Sequence, residues 1–559
     1  MQGQGTDPIH LQTEYSLQDQ NIHCIKGGGR MFKKIIATVL VLAMVMSLCA
    51  CGSKKENESS SSKTESKKTT SDSTSGSTAT TDENIKVSIF IPSRKADALY
   101  SQDTLTLKKL SEKMNVTFDI QTVINSESKS KLSSIISSGE IPDICAGNMT
   151  LLKTYGRDGA FVALDELIDD KYPNLKKYVI DDPEVMAQCV SSDGHLYVIP
   201  MLSAMRTAMG YMIRQDWLDE LGLSTPVTID DWYNVLTAFK NAKGIAPLFL
   251  DRAWELYYNN FSDAWGVEVS VNNNFWTLKD GKMVFSPLTD ECKAYLTEMQ
   301  KWYTEGLIDP EFITREDTCN YHVLNNLAGA GCYWTGYLAG FNENDEVKAN
   351  DPKTNWQVVN PPVLKAGQEP KTFSQQAKTV GHSWAISADC KNVERVLQMF
   401  EYVYSDEGSM LFNFGEEGYS YEYVNGVPKY TQMVYDFGST AWVHANGCQA
   451  LIGMRQLPDY ERAQAASDDA CRQLFYYDEA NLFYPLNPTL TPADDVQDEY
   501  DAIMSSACTY AEEETLKFFT GAKSMDEYDA FVATLKSMNI DRATEIINEA
   551  YATYSANFQ

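Results

Sequence analysis

Histidine is scarce in this chain, with six among 559 residues, and none stands in an H-E-x-x-H arrangement. A G-x-S-x-G elbow, a Gly-rich loop ending in Lys-Ser/Thr and a G-x-G-x-x-G fingerprint are missing as well. The usual hydrolase, nucleotide and dinucleotide chemistries therefore have no foothold in it. Basic residues are in the minority, 47 against 77 acidic, which leaves a net charge of -30. Nucleic acid needs a basic face on its binder, so this balance argues against it and weakens the case for a polyanionic ligand. Twelve cysteines are present without a C-x-x-C pair. Nine of them run from Cys145 to Cys508, an odd number whose spacings fit no zinc site, and they read mostly as small buried hydrophobes. No cofactor or metal is expected. Finally, no apolar run reaches the roughly 20 residues of a membrane-spanning helix.

The longest apolar run, Ile35 to Ser47, follows Lys33 and Lys34 and ends in Leu48-Cys49-Ala50-Cys51. A charged start, a short apolar core and small residues at the end make a secretory signal. The order Leu, small residue, Ala, Cys resembles the lipobox of bacterial lipoproteins. That resemblance implies acylation of Cys51, a membrane tether, and a place on the extracellular face of the cytoplasmic membrane. Residues 1–30 are polar and end in Gly27-Gly28-Gly29-Arg30. A signal belongs at the N terminus, so they read as an upstream extension, 31–50 as the leader and Met31 as the expected start. Residues 51–84 are rich in Ser, Thr, Lys, Glu and Asp. Such a stretch cannot bury a core, and it is expected to be a flexible linker below the tether.

From Ile85 onward the pattern is of βα type. Strands are expected at Lys86–Ile91, Val116–Ile120 and Pro142–Ala146, with helices at Leu105–Met114 and Lys131–Ile136, the latter stopped by Gly139. Alternation of this kind implies an α/β fold with a largely parallel sheet covered on both faces. Ligands of such sheets bind at the carboxyl ends of the strands, which points to Ser93 and Asn148. An extended run from His195 is expected to close at Pro200, and a second runs from Ala208 to Ile213. A helix carrying Trp217 then stops at Gly222, and Thr228 with Asp231 forms an N-cap. Further on, "AGAGCYWTGYLAGFNE" reads as a small-residue strand ending in an aromatic turn at Trp334 and Tyr337. Val393–Tyr404 is an amphipathic helix, Asn425-Gly426 a hairpin turn, and Thr491-Pro492 a helix start.

The stretch from Asp193 to Phe239, with "DGHLYVIP", "RQDWLDELGL" and "PVTIDDW", resembles the central segment of bacterial extracellular solute-binding proteins of ABC importers. "SGEIPDICAGN", "DGAFVALDELIDDKYPNLKKY" and "GEEGYSYEY" follow the order of that family, the last resembling its oligosaccharide-binding subgroup, and the resemblance runs from Asp82 to Tyr554. It implies a two-lobed fold of the type II periplasmic-binding kind, each lobe a mostly parallel sheet flanked by helices. The first lobe would take 85–202 and 366–435, the second 203–365, and 436–559 would be helical and mainly second lobe. Hinges would lie near Pro200–Ala204 and Pro361–Thr379. The implied partners are a carbohydrate, an oligosaccharide above all, and the membrane subunits of a permease, with the chain a monomer and not an enzyme. Trp334 and Tyr337 would face the ligand, because sugar C–H patches stack on aromatic rings. Glu417 and Tyr419 would lie near the cleft, and Arg206, Tyr211, Trp265 and Trp384 complete the expected ligand-binding set. A secreted glycan-degrading lipoprotein and a surface adhesin or sensory module are the alternatives.

Overall fold

A computed structural model describes residues 83–558 apart from 95–97, 208, 251–259, 272, 316–317, 338–340, 343, 450–452 and 465–466. The leader, Cys51 and the linker up to residue 82 lie outside the described residues. The first lobe opens with β1 (Ile85–Ser93), α1 (Leu105–Met114), β2 (Val116–Ile124), α2 (Ser128–Ser138), β3 (Ile144–Gly147) and α3 (Met149–Arg157). After α4 (Pro183–Cys189) comes β4 (Ile199–Leu202), so Pro200 sits inside a strand instead of closing one. The chain then crosses to the second lobe.

There it forms β5 (Met209–Arg214), α5 (Gln215–Leu221) and α6 (Ile229–Lys243), then the hairpin β6 (Trp276–Lys279) and β7 (Lys282–Phe285). Next come α7 (Asp290–Thr304), β8 (Ala330–Trp334) and β9 (Trp356–Val359). The start of α6 is a full capping box. Thr228 Oγ1 accepts from Asp231 N at 3.1 Å, and Asp231 Oδ2 accepts from Thr228 N at 2.9 Å. Two otherwise orphaned amides are satisfied by one reciprocal pair. The small residues of β8 have a steric cause: a Cβ on Gly331 would stand 2.2 Å from the ring of Phe249.

The return leg begins with β10 (Thr379–Ile386), α8 (Val393–Tyr404) and α9 (Asp406–Phe414), followed by the hairpin β11 (Tyr421–Val424) and β12 (Val427–Tyr430). Asn425 and Gly426, with φ of 54° and 82°, make the turn, as their pairing predicts. The C-terminal part is α10 (Asp494–Phe519), α11 (Tyr528–Ser537) and α12 (Ile540–Phe558), three helices packed on the second lobe's core. Pro492 falls two residues before α10 rather than in its first turn, with Ala493 at the N-cap.

The first sheet has the order β2-β1-β3-β10-β4. Its first three strands are parallel, and the returning β10 runs antiparallel between β3 and β4. Val396, Leu397, Phe400 and Val403 of α8 are buried in this lobe's core, each contributing about 2 kcal/mol by leaving water. The second sheet, β8-β5-β9, is antiparallel throughout, contrary to the expectation of a mostly parallel sheet in each lobe. Its strands are reached by long excursions through helices and hairpins rather than by βαβ crossovers, which alone generate parallel neighbours. Rings build its core: Phe261 packs edge-on against Tyr211, Trp232 and Trp302 at 5.1, 5.1 and 5.0 Å. Both lobes thus bury a core of their own, and a smaller cluster of Phe414, Tyr430, Trp442 and Tyr460 covers the flank of the first. The nine cysteines among the described residues form no disulfide with one another; eight are buried and Cys471 is half-buried. Among the described residues no helix is long and apolar enough to cross a membrane.

The capping box gives a direct stability test. Thr228→Ala should lower unfolding stability by about 1 kcal/mol, read as a shifted urea midpoint with an unchanged slope.

Candidate functional site

Two crossings between the lobes run beside one another. The first links β4 to β5 through 203–208, and the second links β9 to β10 through 360–378. Ser203 N donates to Lys378 O at 2.8 Å and Gln376 N donates to Arg206 O at 2.7 Å. With the antiparallel bridge between Thr207 and Gln375, these bonds make a two-stranded ribbon. A third passage leads from the helix Pro458–Gln464 beside the first lobe to the helix Asp468–Leu474, where Gln473 accepts from Val358 N of the second sheet at 2.9 Å. The helix that follows brings up Asp478. Its carboxylate accepts from Arg206 N at 2.7 Å, Thr207 N at 2.9 Å and the Thr207 hydroxyl.

Side chains continue this junction. Arg206 donates to Glu184 of α4 at 3.2 Å and to Gln375 at 3.0 Å. Lys378 pairs with Asp182 at 2.7 Å. Burial works to raise the Asp182 carboxyl, but Lys378 and the amides of Val185 and Glu184 outweigh it and hold its pKa below the ordinary value. On the second-lobe side, Asp263 accepts from Tyr211 OH at 2.8 Å and from Phe373 N at 3.0 Å, binding β5 to the returning crossing. Burial pushes the Asp263 carboxyl up from 3.8 to about 6. Phe373 lies flat on Tyr484, ring centroids 4.2 Å apart.

The strand ends flank this junction. In the first sheet Ser93 is level with Ile124, and Gly147 with Ser383, so Ser93, Asn125, Asn148 and Ser383 share one edge. Ser93 Oγ donates to Ala98 O at 2.7 Å, and Asn148 caps α3 by accepting from Leu151 N at 3.1 Å. In the second sheet Met209, the first residue after the crossing, pairs with Trp334, the last of β8. Trp334 therefore stands at the edge nearest the crossing, 9% exposed, with the half-buried Tyr337 just beyond it and edge-on to Tyr333 at 5.3 Å. Trp265 packs on Tyr295 at 5.6 Å and ends the turn that carries Asp263.

Arg206, Trp265, Trp334 and Tyr337 are thus brought to the junction, with Ser93 and Asn148 on the first sheet's carboxyl edge. Four others go elsewhere. Tyr211 is 1% exposed, its hydroxyl bonded to Asp263 and Phe261 N. Trp384 is 4% exposed, its indole N–H donating to Gly453 O at 3.1 Å and its rings packed on Phe400. Both are core residues because β5 and β10 are central strands covered on both faces. Glu417 and Tyr419 stand exposed in the loop before β11, on the first lobe's flank. Nothing in the sequence marks Asp478, Asp263, Gln375, Gln376 or Lys378. One acid in "YYDEAN" looks like any other among 77, and no spacing rule joins it to Arg206. Among the described residues no group of three or more His, Cys, Asp or Glu is placed to hold a metal ion.

Comparison with known proteins places this geometry. The family model described as bacterial extracellular solute-binding protein matches residues 104–410. The chain is 27% identical over 341 residues to the fructooligosaccharide ABC transporter substrate-binding protein FusA of Streptococcus pneumoniae, covering 56% of this chain and 60% of that protein. It is 25% identical over 331 residues to the polygalacturonan/rhamnogalacturonan-binding protein YtcQ of Bacillus subtilis, covering 56% and 63%. It thus spans about three-fifths of the length of these curated relatives. Among solved structures, the alginate-binding protein AlgQ2, crystallised without calcium ion, superposes with a TM-score of 0.67 at 25% identity over 84% of this chain and 98% of its own. An HMO-binding solute-binding protein of Bifidobacterium longum infantis shares the fold, with a TM-score of 0.67 at 18% identity over 85% and 99%.

The buried carboxyl of Asp263 makes stability depend on pH. Between about pH 4 and 6 the folded chain keeps a proton that the unfolded chain has released, so stability falls as pH rises through that window. The loss is on the order of 3 kcal/mol for a shift of this size. Urea unfolding at pH 4 to 7 should show this slope in the native protein and a flatter one in Asp263→Asn.

Proposed function

Because the chain belongs to the bacterial extracellular solute-binding protein family, we propose that it captures a carbohydrate between its lobes and delivers it to the membrane subunits of an ABC permease. The observation that carries this reading is the junction itself. Two lobes with separate cores are joined by three chain passages, two of them paired as a ribbon, and aromatic and polar strand ends stand on either side of it. A guest that touches both sides binds the closed arrangement better than the open one. It therefore shifts the equilibrium by that difference in affinity. Hinging costs little here, because few backbone torsions need to change while both cores stay packed.

Aromatic strand ends suit sugars, whose C–H faces stack on rings while their hydroxyls need fixed donors and acceptors. Trp334, Tyr337 and Trp265 are the rings we assign, with Arg206, Ser93 and Asn148 as the polar partners. The matched relatives carry names of several different glycans, and the net charge of -30 favours an uncharged oligosaccharide here. The leader and Cys51 support a protein tethered by lipid at the outer face of the cytoplasmic membrane. In this reading the chain binds and releases its sugar unchanged and works as a monomer.

Calorimetry against a panel of fructo-, galacto- and xylo-oligosaccharides, with reducing ends assayed in parallel, tests the proposal. A binding partner with no new reducing ends is expected, and the radius of gyration in solution should fall when it is added. Trp334→Ala should raise Kd at least tenfold and, because the ring is packed in the second lobe's core, also lower the melting temperature; equal affinity in the folded variant would remove that ring from the site. Separately, Cys51→Ala should abolish palmitate labelling and release the protein from the cells into the medium.

A further inference from the structure

Large apolar side chains exposed on the described surface are concentrated in one place. Of twelve, seven lie between Tyr419 and Phe437, on and beside the β11–β12 hairpin. The hairpin borders a groove of about 680 Å3, whose other walls are α1, the end of α8 and the start of α9. Its lining takes no residue of the second lobe, so it is independent of the junction and persists whether the lobes are open or closed. The groove is open to solvent, so it can lie along one face of an extended chain rather than enclose a small ligand.

The chemistry of the walls selects a ligand. Lys109 pairs with Glu416 and Lys113 with Glu407, both at 2.7 Å, and Asp406 pairs with Arg455 at 2.6 Å. The lysines are thus neutralised from within, and Glu112 adds a negative charge to the wall. Phosphate, sulfate or uronate groups would meet no spare positive charge. Rings supply the other component. Tyr423 is 50% exposed and held edge-on against Tyr421 at 5.8 Å, and Tyr402 lies beneath Lys113. A ring held by a neighbour loses little freedom when a second flat surface stacks on it. The exposed rings here alternate with Glu416, Glu417, Glu422, Lys429 and Asp436, so they do not merge into the dry apolar centre that a protein interface buries.

We infer that this groove is a second carbohydrate site, which holds an outlying stretch of an uncharged glycan chain while the interlobe site takes a short segment. A sugar face stacks on Tyr423, and hydroxyls bridge the Lys–Glu pairs, which supply donors and acceptors alike. The inference rests on the reading of the protein as a carbohydrate binder. It adds that polymer and oligomer are recognised at different places.

Native electrophoresis through gels containing soluble inulin, galactan or xyloglucan tests it, with polygalacturonate as the anionic control. Wild-type protein should be retarded by at least one uncharged polymer. Tyr423→Ala and Lys113→Ala should each lose more than two-thirds of that retardation, while calorimetric affinity for the matching tri- to pentasaccharide stays within twofold. Trp334→Ala should lose the short ligand yet keep part of the retardation. The second site is overturned if Tyr423→Ala migrates as wild type, if Trp334→Ala alone abolishes all retardation, or if no uncharged polymer retards the wild type. Retardation by polygalacturonate alone, or a change only in self-association by size-exclusion chromatography, overturns it too. Failure of every short oligosaccharide to bind would instead remove the interlobe reading, so the two failures are distinct.

Discussion

The carboxylate of Asp478 takes two consecutive backbone amides, Arg206 and Thr207, and the Thr207 hydroxyl, at the point where the chain leaves the first lobe for the second. A carboxylate collecting several hydrogen bonds makes stronger contacts than neutral acceptors do. It fixes the register of the first crossing, and that crossing in turn pairs with Gln375 and Gln376 of the second. The backbone groups of two irregular segments, which would otherwise depend on water, are satisfied by one another. Closure of the lobes on a guest depends on this junction being bonded and continuous.

Around it the two lobes are made differently. The first is a five-stranded sheet whose three parallel strands lie side by side, so their carboxyl ends gather on one edge. The second is a small antiparallel sheet encased by helices and interlocked rings, with Arg214 buried between Asp216 and Asp351 at 2.6 and 2.7 Å. A guanidinium taken from water demands such pairing. Each body keeps a core of its own, and the ribbon between them is held by backbone bonds and by the carboxylates of Asp478, Asp182 and Asp263. Asp263 stands where the second body meets the ribbon, and its protonation bears on β5 and the returning crossing together.

Aromatic residues separate into three kinds by position. Most of those in the second lobe hold its core, as Trp217, Trp232, Trp302 and Trp356 do. Trp334, Tyr337 and Trp265 lie at its edge beside the crossing. Tyr419, Tyr423, Tyr435 and Phe437 stand out on the flank of the first lobe. The same side-chain chemistry therefore serves packing, the interlobe edge and an outer groove, and only the surroundings distinguish them.

Local features were legible in the amino-acid order because their physics is local. The helix at Leu105–Met114, the capping box at Thr228, the glycine stop at Gly222, the amphipathic face of Val393–Tyr404 and the Asn425-Gly426 turn each depend on residues within a few positions of one another. The signal-like start and the poverty of basic residues likewise belong to the sequence itself. Tertiary structure decided what depends on distant partners. It made the second sheet antiparallel, put Tyr211 and Trp384 into cores, placed Pro200 within a strand, and joined Asp478 to Arg206 across more than 270 positions. A central strand buries whatever side chains it carries, and an acid becomes a clamp only when folding brings amides to it. Neither fact is written in the neighbours of the residue concerned.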